Sequence, residues 1–172
     1  MMSSHPAMAA SARGLNLTRR LRLPSGETVL LTDTVGFIQK LPTGLVAAFR
    51  ATLEELEDAD LLLHVLDISH PHSAEHAQVV SSTLQDLGVV ERPTILALNK
   101  VDCLEHDGHV VKSFAEAEET LSAAGPGPMN VVPVSATKGW GLDDLLETIE
   151  SGIDGALDVT PPALALAGIR TS

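Results

Sequence analysis

Tyrosine is absent from this chain, tryptophan and cysteine occur once each, and phenylalanine three times. With so few aromatics, a core has to come from Leu, Val, Ile and Ala, which are plentiful. The single Cys103 excludes an intramolecular disulfide and fits a reducing compartment. No apolar run approaches the roughly 18 residues that a bilayer-spanning helix needs, so no membrane span is expected. Basic residues are also scarce: 11 stand against 23 acids, for a formal net charge of −12. That balance argues against a broad basic surface for nucleic acid, and no direct DNA binding is expected. The sign is uneven along the chain. Residues 1–26 hold Arg13, Arg19, Arg20 and Arg22 and no acid, so every acid lies beyond them.

The length of 172 residues fits one domain. Residues 1–17 read as a disordered or transit-like N-terminus: the first twelve are Met, Ser, Ala, His and Pro without an acid, and Arg13 follows. Arg20 to Leu23 and Thr28 to Asp33 read as a β-hairpin, with Pro24, Ser25 and Gly26 supplying the turn chemistry. Residues 45–58 read as a helix, with Leu45, Phe49, Leu53 and Leu56 on one stripe. Residues 61–66 and 94–98 are apolar runs of buried-strand length. Between them Ser73 can cap a helix whose inner stripe is Ala77, Val80, Leu84 and Leu87, ended by Gly88. A weaker helix is expected around 110–123, a last strand over 131–134 and a last helix over 141–150. Pro161 and Pro162 interrupt an aperiodic remainder, so 152–172 reads as a tail. Strands alternating with helices predict an α/β fold: a doubly wound, mostly parallel sheet with a leading antiparallel hairpin.

Three loops follow these strands. Asp33, Thr34, Val35 and Gly36 follow the hairpin; Asn99, Lys100, Val101 and Asp102 follow the 94–98 strand; Ser135 and Ala136 follow the last. An Asp102 carboxylate can accept two hydrogen bonds from the N1–H and N2–H₂ edge of guanine, an edge adenine lacks. Asn99 can hold the loop, and Lys100 can lay its methylene stem over the purine. The Ala136 N–H can donate to guanine O6, and Lys138 can cover the other ring face. Asp33 can hold Mg²⁺ through water, and the Gly36 N–H can meet a γ-phosphate. Each tetrapeptide alone is a polar turn as readily as a ligand; strand context and order together point to a GTP- or GDP-binding chain. Phe37 occupies the position where a Gln orients water in Ras-like enzymes, and a phenyl ring cannot do so. No catalytic residue is therefore assigned.

Other polar residues invite plainer readings. His72 and His76 are i, i+4 near His70, but no matching cluster accompanies them, so a solvated helix start is expected rather than a metal site. His64 is expected as a hydrogen-bonded core residue and Cys103 as a packing residue.

The segments Asp33-Thr34-Val35-Gly36-Phe37-Ile38, Ala51-Thr52-Leu53-Glu54-Glu55 and Asp60-Leu61-Leu62-Leu63-His64-Val65 resemble the G domain of HflX-type GTPases, a P-loop GTPase family. The likeness runs over 18–151. It implies a P-loop-GTPase-like sheet, Mg²⁺ as cofactor, the large ribosomal subunit as partner and a role in ribosome splitting or rescue. It also implies a cytoplasmic location, or an organelle stroma or matrix if the N-terminus is a transit peptide. The chain departs from the pattern: no G-x-x-x-x-G-K-[ST] run occurs in its 172 residues, and of the first switch only Thr18-Arg19-Arg20-Leu21 matches. In such a sheet the strand before that run lies between the hairpin's second strand and the 61–66 strand. Without it those two are left unpaired or are forced together. Three functions stay open: a GTP-binding fragment with impaired affinity, a non-hydrolysing pseudo-GTPase that docks a partner, and a truncated gene product with no function of its own.

Overall fold

The computed structural model describes residues 17–33, 58–86, 88, 92–123 and 130–156. The expected helix over 45–58, all but its last residue, and most of the expected tail fall outside them. Among the described residues seven strands and three helices follow in order: β1 (Leu17–Arg22), β2 (Thr28–Asp33), β3 (Leu62–Asp67), α1 (Ser73–Asp86), β4 (Thr94–Asn99), β5 (Glu105–His106), β6 (His109–Val110), α2 (Phe114–Ser122), β7 (Val131–Pro133) and α3 (Leu142–Ile153). The α/β class holds, with a three-stranded parallel sheet ordered β3-β4-β7 and an antiparallel leading hairpin, β1-β2.

β4 is central because its sequence is apolar on both faces. Ile95 and Ala97 point one way, Leu96 and Leu98 the other, and all four are buried. On one face Leu96 and Leu98 join Leu66, Ile68, Val101, Leu104, Val111 and Ala117, with Ala77 from α1 and Phe114 and Leu121 from α2 packed against them. On the other, Ile95 and Ala97 join Val132, Val134 and Ile149, with Leu145, Leu146 and Ile153 from α3. Leu21, Leu23 and Val29 of the hairpin pack into that second cluster. Each fully buried aliphatic side chain contributes about 1.5–3 kcal/mol, so β4 anchors both halves of the core.

Among the described residues β2 pairs only with β1, and β3 only with β4. Leu30 is 70% exposed on β2 and Val65 56% on β3, as edge positions with an open side. His64 on β3 departs from expectation: its Nε2 is buried and takes no hydrogen bond among the described residues. Burial holds its imidazole below the ordinary histidine value.

The remaining differences are local. The helix expected from 110 begins at Phe114, where Ser113 caps it by accepting from the Glu116 N–H at 3.3 Å. Residues 105–110 form a hairpin instead, because Asp107 and Gly108 both take positive φ, +48° and +80°. The last helix runs on to Ile153, two residues into the expected tail.

Candidate functional site

Asp67, Asn99 and Val134 come together where the parallel strands end. Asp67 and Asn99 are register partners at the last positions of β3 and β4, and the Val134 N–H donates to the Leu98 carbonyl just beyond β7. In open parallel α/β sheets, ligands bind outside this carboxyl edge.

Asn99 is the joint of the site. Its Oδ1 accepts the Lys100 N–H at 2.9 Å and the Ala136 N–H at 3.2 Å, so one side chain ties the 99–102 loop to the 135–138 loop. The Val101 N–H donates to the Val134 carbonyl at 3.2 Å and adds a backbone tie. Lys100 sits in the left-handed region at φ 68°, which is uncommon for a residue with a side chain. The turn continues as one 3₁₀ turn over Val101–Cys103. Val101 is fully buried, and so fixes the half-buried Asp102 beside it. Oδ1 of Asp102 is buried and accepts no hydrogen bond from any described residue. A buried unpaired carboxylate oxygen costs on the order of 1–3 kcal/mol or more, so stability does not explain its presence.

The Ser135 loop is closed on itself. Ser135 and Trp140 exchange backbone hydrogen bonds at 3.0 and 3.2 Å, and the Ser135 Oγ accepts the Lys138 N–H at 3.2 Å. Ser135 is fully buried, whereas Ala136 and Lys138 are exposed. The Ala136 N–H, expected to meet guanine O6, is engaged by Asn99 here. Gly139 and Gly141 take positive φ, and a Cβ on Gly141 would run into the Pro133 carbonyl and the Phe114 ring. The turn that presents Ala136 therefore requires glycine at 141.

Asp67 was given no role from the sequence. Its Oδ2 lies 2.6 Å from the Lys100 Nζ, and its Oδ1 accepts the Ser69 N–H at 3.0 Å and the Ser69 Oγ–H at 2.6 Å. Burial alone would raise the Asp67 carboxyl, but the Lys100 and Ser69 hydrogen bonds and the Lys100 charge outweigh it and hold it low. The Asp67 hydrogen bond, with its charge, correspondingly holds the Lys100 ammonium above the ordinary lysine value. The available signal was the Asp at the end of the strand neighbouring the one that carries Asn99.

Asp33 is not part of this assembly. It is exposed at the end of β2 in the separate hairpin, while Thr34, Val35, Gly36 and Phe37 lie outside the described residues. No group of three His, Cys, Asp or Glu able to hold a metal ion occurs among the described residues. The His70 ring instead lies beside those of His72 and His76, at 5.8 and 4.5 Å between centroids. Of the residues expected on the magnesium side, only Asp33 is described, as an exposed carboxylate on its own. No helix among them is long and apolar enough to cross a membrane.

A parallel sheet flanked by helices, with its polar loops gathered at the carboxyl edge, defines the class: the fold of the P-loop GTPases. A GTP-binding protein from Sulfolobus solfataricus, solved in complex with GDP, superposes with a TM-score of 0.59 at 29% identity, over 81% of this chain and 44% of that one. The 50S ribosome-binding GTPase family matches residues 11–100. The chain belongs to that family and carries a G domain of the HflX type. It is 48% identical over 132 residues to the GTPase HflX of Caldanaerobacter subterraneus subsp. tengcongensis, covering 77% of this chain and 27% of that protein. With the GTPase HflX of Alkalihalophilus pseudofirmus it shares 56% over 85 residues, 49% of this chain and 20% of that protein. The chain thus spans between a fifth and a third of the length of the curated relatives it matches.

Proposed function

We propose that Asn99, Lys100, Val101, Asp102, Ser135, Ala136 and Lys138 form the guanine-reading end of an HflX-type G domain. The observation that carries this reading is the Asn99 carboxamide, which holds both loops together at the ends of adjacent parallel strands. Asp102 reads the N1–H and N2–H₂ edge. Lys100 and Lys138 flank the ring. The Ala136 N–H exchanges its Asn99 partner for guanine O6, or shares the two. Asp33, Thr34, Val35 and Gly36 belong to the phosphate side, with Asp33 reaching Mg²⁺ through water. By family the whole protein acts on the large ribosomal subunit, in splitting or rescue.

For the 172 residues alone, we propose weak GTP binding, at millimolar levels or weaker, and hydrolysis no faster than background. No G-x-x-x-x-G-K-[ST] run is present to cradle the phosphates. Losing even three charge-assisted hydrogen bonds removes roughly 4–9 kcal/mol, or about three to six decades of affinity. Phe37 cannot orient the attacking water. Isothermal titration with a non-hydrolysable GTP analogue and Mg²⁺, run beside a phosphate-release assay, tests the reading. Micromolar binding, or phosphate release abolished by Asp33→Ala, would show a working phosphate site and refute it.

A further inference from the structure

We propose that Asp67 is a positioning residue for the purine, holding the Lys100 ammonium so that the lysine stem is already fixed when a guanine nucleotide arrives. The proposal rests on the reading of residues 99–102 as the guanine reader.

The geometry is specific. Asp67 and Asn99 are paired by register, so the carboxylate stands beside the root of the loop it restrains. The carboxylate is itself restrained, because both hydrogen bonds from Ser69 fall on Oδ1 and leave Oδ2 to Lys100. Lys100 is held at both ends: its N–H by Asn99 Oδ1 and its Nζ by Asp67, with a left-handed backbone between them. A free lysine has four rotatable side-chain bonds to order before it can lie on a base. Here that ordering is done before the ligand binds, which is how preorganisation improves affinity. A simple surface ion pair is the competing account. Both side chains are about half exposed, and a pair of that exposure contributes little to fold stability. Removing it therefore leaves the fold intact, and any loss of nucleotide affinity reports positioning.

The test is an amide-detected NMR titration of the ¹⁵N-labelled chain with GDP raised well beyond millimolar concentration, repeated with ADP. Asp67→Asn is expected to weaken GDP binding roughly three- to tenfold, the factor for immobilising one long side chain, at unchanged melting temperature and unchanged preference for GDP over ADP. Asp67→Glu keeps the charge and is expected to recover most of the loss. Ser69→Ala removes the hydroxyl bond to Oδ1 and keeps the backbone one, so it loosens the carboxylate without removing it; it is expected to weaken binding in the same direction by less, and it serves if Asp67→Asn does not fold. Should the parent chain show no response to GDP at Asn99 or Ala136, the guanine-reader assignment fails and this proposal with it. Should the parent respond and Asp67→Asn bind GDP equally well, the positioning role alone is overturned.

Discussion

Replacing Asn99 with Ala separates the two loops of the site while leaving its strands untouched. The carboxamide oxygen accepts two backbone N–H groups, from Lys100 and Ala136. A neutral hydrogen bond contributes about 0.5–1.5 kcal/mol net. Both donors belong to exposed residues, so water takes over part of each bond and the total is about 1–2 kcal/mol. For a chain of this size that corresponds to a melting temperature lower by roughly 2–8 °C. The local effect is sharper than the global one. The Val101–Val134 backbone bond and the Ser135–Trp140 pair remain, so each loop keeps its shape while their relative position loosens. Urea denaturation measures the first effect and amide hydrogen exchange at Ala136 the second. Asn99→Asp retains an acceptor oxygen and should lose less than half as much as Asn99→Ala. If the Ala136 amide exchanges as slowly in Asn99→Ala as in the parent, Asn99 is not the joint of the site and the reasoning fails.

Two further outcomes follow from single residues. Gly141→Ala forces a Cβ into the Pro133 carbonyl at a positive φ, and should cost at least about 2 kcal/mol by chemical denaturation; a midpoint equal to the parent's would show that the turn relaxes freely. His64 is held neutral by burial, its folded value lying below its ordinary 6.5. Its contribution is therefore fully present above pH 6.5 and is lost as pH falls below that value through the folded one. The stability difference between the parent and His64→Leu should accordingly shift in the variant's favour between pH 7.5 and 5.5 in urea midpoints, and a pH-independent difference would remove His64 as a cause.

The parallel core was legible because β4 is apolar on both faces, which only a central strand tolerates. The same run made Asn99, Lys100 and Asp102 recognisable, since a motif gains meaning from the strand it follows. The 105–110 hairpin was missed because each of its strands is two residues long, too short for any period to register. Its Asp107-Gly108 pair was nonetheless a turn signal in plain view. The link between Asp67 and Lys100 was invisible for a different reason. It spans two strands and depends on their register, which a parallel crossover does not fix locally. His64 was expected to find a partner because most buried polar atoms do; its strand stands at an edge among the described residues, with no neighbour on one side to supply one.

The most direct test of the account is a change of base preference at Asp102. The parent chain and Asp102→Asn are titrated with GDP and with xanthosine diphosphate, following the Asn99 and Ala136 amides. An asparagine amide can donate to the 2-oxo group of xanthine, whereas the aspartate carboxylate accepts from the guanine 2-amino group. The account predicts that the parent responds to GDP and that Asp102→Asn responds more strongly to xanthosine diphosphate. An unchanged preference for GDP in Asp102→Asn would contradict it.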